Sequence, residues 1–359
     1  MQAYMTKYSS VPEKKEKPKD QRNFKLYEPG MFWKKALKVI EKKYLEKGIK
    51  DFRSDNTNLR FFVPTYGPPG NSFKKGFLRK IKAICARQYG RRQLLEVEAR
   101  FNGYKEAYSD YRAFKIASSF TDPIDLLKFS ESKVGSPTEH FCFNNKWYSR
   151  SSLNYLLGLC FLFSIFPKFR PKIVLEIGGG FGILAEILGK SNIENLHYLN
   201  LDLYPMVSIA EDYVTTCFKK DKKRLVTKKI PSGQFSIKEL ETFSFFPNYK
   251  IEDLRGSIDL FVNFISFQEM EPDIVSNYIN KVQNLRPKLV LIRNLREGKQ
   301  VRKGKSIGVE KPVLKENYIN MFSDYVLVES NVLEYGLKTV DGFNSELLLL
   351  KRKKEKRHE

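Results

Sequence analysis

The sequence predicts an α/β protein: a doubly wound, mostly parallel sheet with helices on both faces and an antiparallel last strand, preceded by a mainly α-helical N-terminal region. Three observations predict it. From Pro171 onward, short apolar runs alternate with segments of helical periodicity, and strand and helix in repeated order build a parallel sheet covered on both sides. The first of these runs ends in a glycine-rich turn that opens a helix. Two late runs, VLVES and SELLLLKRK, read as an antiparallel edge pair.

The elements follow in order. Residues 1–25 are polar, lysine-rich and proline-containing, as expected of a mobile basic arm; they lack the apolar core of a secretory signal. Residues 26–134 read as mainly helical. Trp33, Leu37, Ile40, Tyr44 and Leu45 recur at helical spacing, and Gly48 is placed to cap that helix. VPTYGPPGNS (63–72) is a loop. Residues 73–101 then form a basic helical stretch, with Leu78, Ile81, Ile84, Leu94 and Val97 on one face. Lys74, Lys75, Arg79, Lys80, Lys82, Arg87, Arg91 and Arg92 lie on the other.

The doubly wound domain is expected over 135–351, with a basic tail at 352–359. LNYLLGLCFLFSIF (153–166), stopped by Pro167, is too short for the ~20 residues of a membrane span and reads as a buried helix. The strands are KIVLEI, LHYLNLDL, IDLFVNFI and KLVLIRNL. The helices between them are FGILAEILGK, PMVSIAEDYVTTCF and EPDIVSNYINKV. KKDKKRLVTKKIPSG is a charged loop, and one more strand belongs somewhere in Ser236–Phe246.

Composition narrows the classes. The chain has 359 residues, a formal charge of +23 and 47 Phe and Tyr, enough to build a core and too many for a disordered chain. Cys85, Cys142, Cys160 and Cys217 are scattered and only three histidines exist, so a structural zinc site is not expected. Reduced thiols in a cytoplasmic, soluble protein are. Residues 1–100 hold 25 basic and 10 acidic residues, a net +15 that leaves +8 for the rest. Such a balance suits nucleic acid, an anionic surface or a phosphorylated substrate, or simply a solvated lysine-rich exterior.

The chemistry is concentrated in Val174-Leu175-Glu176-Ile177-Gly178-Gly179-Gly180-Phe181-Gly182. Glycines let the backbone approach a ligand and adopt positive φ, and the loop after the first strand is where open α/β sheets bind cofactors. A dinucleotide fingerprint would need glycine at Ile183, and the Lys-Ser/Thr of a phosphate loop is missing. A glycine turn with an acid before it suits a cofactor carrying a cationic amino group and a ribose. Asp202 ends the second strand, 24 residues after Gly178, where an acid can accept both ribose hydroxyls. The plainer alternative is an ordinary strand–helix turn with Asp202 capping the helix near Pro205.

VLEIGGGFG, the strand ending NLDLYP, and FVNFISFQEM followed by a helix together resemble a class I S-adenosylmethionine-dependent methyltransferase. More narrowly they resemble the bacterial sugar O-methyltransferase family, over about residues 135–350. The resemblance implies a Rossmann-like methyltransferase sheet and S-adenosylmethionine as cofactor. Glu176 would orient the methionine amino group, Gly178, Gly179, Gly180 and Gly182 would admit the cofactor, and Asp202 would hold the ribose. The reaction would be methyl transfer to a sugar hydroxyl in surface-glycan biosynthesis, with 26–134 on the acceptor side.

Glu269, after the IDLFVNFI strand and before the helix begun by Pro272, is the first candidate base; its alternative role is to favour that helix's N-terminus. His140 is the second, since histidine titrates near neutrality; packing is its alternative. His197 reads as structural and His358 lies in the tail. Glu269, Glu271 and Asp273 could together hold Mg²⁺, although alternating acids at a helix start more often serve as caps. The acceptor would be a free sugar, a nucleotide sugar or a lipid-linked glycan, with peripheral contact to an anionic surface allowed by the charge. The rivals are a nucleic-acid methyltransferase using the basic 73–92 helix, and a non-catalytic scaffold on the cofactor fold.

Overall fold

The computed structural model describes residues 24–54, 103–303, 308–332 and 345–354. The expected 63–72 loop, the basic helix at 73–101, nearly all of the 1–25 arm and most of the tail lie outside them.

Helix α1 (Met31–Asp51) buries Ala36, Leu37 and Ile40. Leu45, expected on that face, points to solvent, because it lies one residue beyond the stripe that Ile40 and Tyr44 define. At Gly48 φ is +63°, which breaks the helix where the glycine predicts, and one further turn follows. Helix α2 (Tyr104–Phe120) packs on α3 (Arg150–Ile165). Ser149 and Ser152 form a reciprocal capping box on α3, and the helix is buried from Ser151 to Phe163. Among the described residues no helix is long and apolar enough to cross a membrane. Between α2 and α3 lies a hairpin absent from the expectations, β1 (Phe141–Phe143) and β2 (Lys146–Tyr148). Asn144 and Asn145 turn it with φ of +48° and +60°, the pair of left-handed residues a tight hairpin needs.

The remaining elements are β3 (Ile173–Ile177), α4 (Ile183–Lys190), β4 (His197–Asp202), α5 (Met206–Cys217), β5 (Phe235–Ser236), β6 (Phe243–Pro247), β7 (Leu254–Arg255), β8 (Leu260–Phe264), α6 (Pro272–Asn284), β9 (Leu289–Leu295), α7 (Lys315–Met321), β10 (Tyr325–Asn331) and β11 (Ser345–Arg352). The main sheet has seven strands in the order β10-β11-β9-β8-β3-β4-β6. Every neighbouring pair is parallel except the two that β11 makes. This is the expected Rossmann-like sheet, mostly parallel with an antiparallel last strand. The late pair forms at the sheet's edge, antiparallel as expected, with β11 between β9 and β10 and β10 outermost. Its run from Leu347 to Leu350 is fully covered, whereas β10 alternates toward solvent as an edge strand does. The strand expected within Ser236–Phe246 is β6, while β5 and β7 pair apart as a small parallel ribbon.

Two apolar layers cover the sheet. One gathers α3, α4 and α5 residues such as Leu156, Leu184 and Ile209. The other gathers Val275 and Ile279 of α6 with Tyr318 of α7. From β3 the chain winds one way to β4 and β6 and the other way to β8 and β9. The carboxyl ends of β3 and β8 therefore flank the reversal point at which open α/β sheets hold ligands.

Candidate functional site

Strand β3 delivers the glycine turn to that point. Gly178, Gly180 and Gly182 have φ of +73°, +60° and +96°, which glycine alone adopts without strain. Each remaining constraint is different. A Cβ on Gly178 would lie 2.3 Å from Ser266 Oγ, and one on Gly179 would lie 2.4 Å from Glu176 Oε2. Among the described residues, nothing stands within 4 Å of a Cβ placed on Gly180. The turn is thus packed against protein below and open above Gly180.

The residues of β4 on one face, Tyr198, Asn200 and Asp202, hold the turn. Gly179 N–H donates to Asn200 Oδ1 at 3.0 Å and Gly180 N–H to Asp202 Oδ2 at 3.1 Å, while Leu203 N–H donates to Asp202 Oδ1 at 2.7 Å. Asp202 is not the helix cap: the position before α5 is Pro205, with no side-chain cap. Among the described residues, the buried Asn200 Nδ2 has no hydrogen-bond partner, a donor left over beneath the turn.

Glu176 lies under the turn, wholly buried. Tyr155 from α3 donates to its Oε1 at 2.6 Å and Tyr198 donates to its Oε2. Tyr155 is held in turn by stacking on Phe264, centroids 4.7 Å apart. Burial pushes the Glu176 carboxyl up to about 7, against the two phenol bonds and with help from Asp202. Burial pushes Asp202 up to about 7 as well, against the two backbone N–H groups. Among the described residues no basic side chain hydrogen-bonds to either acid. Two acids that lack a cation make this end of the crevice receptive to a cationic ligand.

Strand β8 supplies the other wall. Ile265 has φ of +69°, strained for a β-branched side chain and of the kind that persists where surrounding structure over-determines it. Its N–H donates to Arg293 O at 2.7 Å. Asn263 Nδ2 donates to Ile177 O at 2.9 Å and to Ser266 Oγ at 2.7 Å, and Asn294 Nδ2 donates to Asn263 Oδ1 at 3.1 Å. Gln268 closes the chain by accepting from Leu295 N–H at 2.9 Å. These amides stitch the carboxyl ends of β3, β8 and β9 together and fix the SFQEM segment.

Glu269 sits on that segment, partly buried, with Lys299 Nζ donating to its Oε1 at 2.7 Å. Glu271 accepts the N–H groups of Glu310 and Lys311 at 2.8 and 3.0 Å, and Asp273 lies in the first turn of α6. Among the described residues no group of three or more His, Cys, Asp and Glu side chains could hold a metal ion. His140 is elsewhere. Its Nε2 lies 3.1 Å from both Glu131 Oε1 and Arg53 Nη2, inside a buried cluster behind Phe181. There Arg53 pairs with Glu131 and Glu139, and its guanidinium lies 4.7 Å from the Phe181 ring centroid. His197 Nδ1 is 3.0 Å from Leu240 O, a structural position.

The segment 24–54 crosses the same edge of the sheet. Gly30 faces Glu269 O, Tyr44 donates to Asp212, and Phe52 meets Phe181 edge-on at 5.6 Å. Of the residues that build the site, Tyr198 and Asn200 were readable from their period-two spacing before Asp202. Tyr155 and Arg53, far away in sequence, carry no local signal.

No family model matches the chain, and no curated protein matches it. Solved structures do. A magnesium protoporphyrin IX methyltransferase from Synechocystis PCC 6803, with bound S-adenosylmethionine, is 10% identical at a TM-score of 0.39, over 57% of this chain and 81% of that one. A 1,6-didemethyltoxoflavin-N1-methyltransferase from Burkholderia thailandensis is 12% identical at 0.38, over 55% and 77%. A methyltransferase from Leishmania major is 15% identical at 0.39, over 56% and 72%. Likeness of this degree stands beside the sheet topology and adds no chemistry to it.

Proposed function

We propose that this chain is an S-adenosylmethionine-dependent O-methyltransferase acting on a hydroxyl of a sugar in surface-glycan biosynthesis. The observation that carries the cofactor is the glycine turn at the reversal point of the sheet, open above Gly180 and tied to Asp202. The site fits the group. The turn admits a close ligand above Gly180, Asp202 presents a carboxylate for the ribose hydroxyls, and Asn200 Nδ2, without a partner among the described residues, and the acid pair favour a polar, cationic molecule. When bound, S-adenosylmethionine supplies a methyl group on a sulfonium, already a strong electrophile.

The protein's task is then to orient an acceptor and to take its proton. Alignment in a fixed site supplies several kcal/mol, in principle ~7–11. Glu269 is the proposed base, at the same sheet edge as the turn, held by Lys299 and worth ~10²–10⁴-fold in rate. His140 stays the second candidate base: its ring is enclosed in the Arg53 cluster, and it is Arg53 that stands over Phe181 of the turn. Glu176 acts from beneath the turn, through charge and through the space it reserves at Gly179. The sugar acceptor rests on the resemblance of the SFQEM segment.

The test is calorimetric titration with S-adenosylmethionine and its demethylated product. Wild-type protein binds both, and Asp202→Ala or Gly180→Val abolishes binding. Absence of any heat or thermal shift with wild-type protein defeats the proposal. With glycan acceptors, Glu269→Gln lowers turnover while cofactor affinity stays; unchanged turnover removes Glu269 from the mechanism.

A further inference from the structure

The site occupies the carboxyl edge of the sheet. The opposite edge is basic, and nothing in the proposed reaction uses it. Seven basic residues and one acid stand in the eleven positions 219–229, between α5 and β6. Lys219, Lys220, Lys222, Lys223, Lys228 and Lys229 are all exposed. Lys228 approaches Glu211 at 3.7 Å; among the described residues the other five have no ion-pair partner.

The loop is nevertheless ordered. Arg224 Nη2 donates to the carbonyls of Ser191 and Ile193, at 3.3 and 3.0 Å. Thr227 N–H donates to Phe243 O and Phe243 N–H to Leu225 O, at 2.8 and 2.9 Å, which extends the sheet beside β6. Val226 turns inward at 9% exposure, and Leu225 turns outward at 47%, in the middle of the lysines.

The same edge stays basic across the sheet. Lys172 precedes β3 and Lys288 precedes β9, both exposed. Because β11 runs antiparallel, its end returns to this edge and brings exposed Lys351, Lys353 and Lys354 with it. Acids are present as Glu194, Glu241 and Asp324, and Asp259 is paired with Lys288 at 2.7 Å.

We propose that this edge is a docking face for an anionic lipid surface, with loop 219–229 as its main contact and Leu225 as its apolar anchor. The face is broad and carries lysines, compact point charges suited to a field of headgroups. An exposed leucine ringed by lysines fits the boundary between headgroups and acyl chains. Loop 219–229 contains no aromatic residue, whereas single-stranded nucleic acid is held by rings that stack on its bases. Docked this way, the crevice opens away from the bilayer toward solution.

Co-sedimentation of the full chain with sucrose-loaded vesicles tests it, using phosphatidylcholine alone and with about one third phosphatidylglycerol. The protein binds the anionic vesicles and not the neutral ones, and added salt releases it. Reversing Lys219, Lys220, Lys222 and Lys223 to Glu lowers the partition coefficient about 100-fold or more. Leu225→Ser lowers it about threefold, as loss of one partly buried apolar side chain requires. These side chains are exposed, so unchanged circular dichroism and Tm are expected of both variants. Residues 1–100, with their net +15, are intact in each variant. Retained affinity therefore assigns binding to them and overturns the proposal. Equal binding to neutral vesicles overturns it too, as does salt-sensitive capture of an RNA oligonucleotide with vesicles ignored.

Discussion

Adding one methyl group at adjacent glycines separates the two jobs of the turn. In Gly180→Ala the new Cβ meets nothing within 4 Å among the described residues, and the only conformational cost is φ of +60°. A left-handed alanine costs about 1–2 kcal/mol, so Tm falls by roughly 2–8 °C in a domain of this size. The methyl projects into the open space above the turn, where intrusion of one carbon into a ligand site costs about 1–3 kcal/mol, roughly 10–200-fold in affinity. In Gly179→Ala the Cβ would sit 2.4 Å from Glu176 Oε2, 2.8 Å from its Cδ and 3.0 Å from Asn200 Oδ1. Those atoms are fixed by Tyr155, Tyr198 and the turn itself. Overpacking of this kind costs about 1–3 kcal/mol, and displacing a buried carboxylate from its phenols adds about 1–3 more. Differential scanning fluorimetry without ligand should therefore rank Gly179→Ala below Gly180→Ala, and calorimetry with S-adenosylmethionine should show the affinity loss in Gly180→Ala. Affinity within twofold of wild type in Gly180→Ala would refute the open face as the ligand face. A wild-type Tm in Gly179→Ala would refute the packing of the turn on Glu176.

Two further outcomes follow from the buried charges. Glu176 and Asp202 both titrate higher in the fold, about 7, than in an unfolded chain, about 4. The protonated forms are the ones the fold prefers, so their contribution to stability is full below about pH 4 and is lost as pH rises to about 7. The ligand-free protein should then melt progressively lower between about pH 4 and 7, with the slope reduced in Glu176→Gln. Carboxyls held low by cations, such as Asp259 and Glu346, change their contribution only at more acid pH. A flat Tm across that window contradicts the assignment. Arg53→Met leaves Glu131 and Glu139 buried without their cation and should cost about 3–5 kcal/mol in chemical denaturation; a loss below about 1 kcal/mol would show that the cluster is not a structural pin.

What was legible in the chain was whatever depends on neighbours in sequence. The glycine turn, its helix and the acid at the end of β4 are consecutive or nearly so, and each declares itself by residue type. The alternation of β4 places Tyr198, Asn200 and Asp202 on one face, as strand geometry requires. Even the hairpin at Asn144-Asn145 had a local signal in its two asparagines. Pairing partners had none. The late strands were recognisable, yet nothing in VLVES or SELLLLKRK says that the second lies inside the first; only the coverage of Leu347 to Leu350 by both faces decides it. Glu176 and the glycine turn were evident, while the two tyrosines that hold the acid come from α3 and from β4.

The sequence by itself determined the fold class, the turn, and the paired acids, because strand and helix periods and the conformational freedom of glycine are local properties of the chain. Tertiary structure decided which charges face which. A residual +8 spread over residues 101–359 carries no direction along the chain. Once parallel strands share an orientation, strand-end acids gather at the carboxyl edge and the lysines of loops returning from helices gather at the other. The antiparallel β11 adds its own basic end to that amino edge.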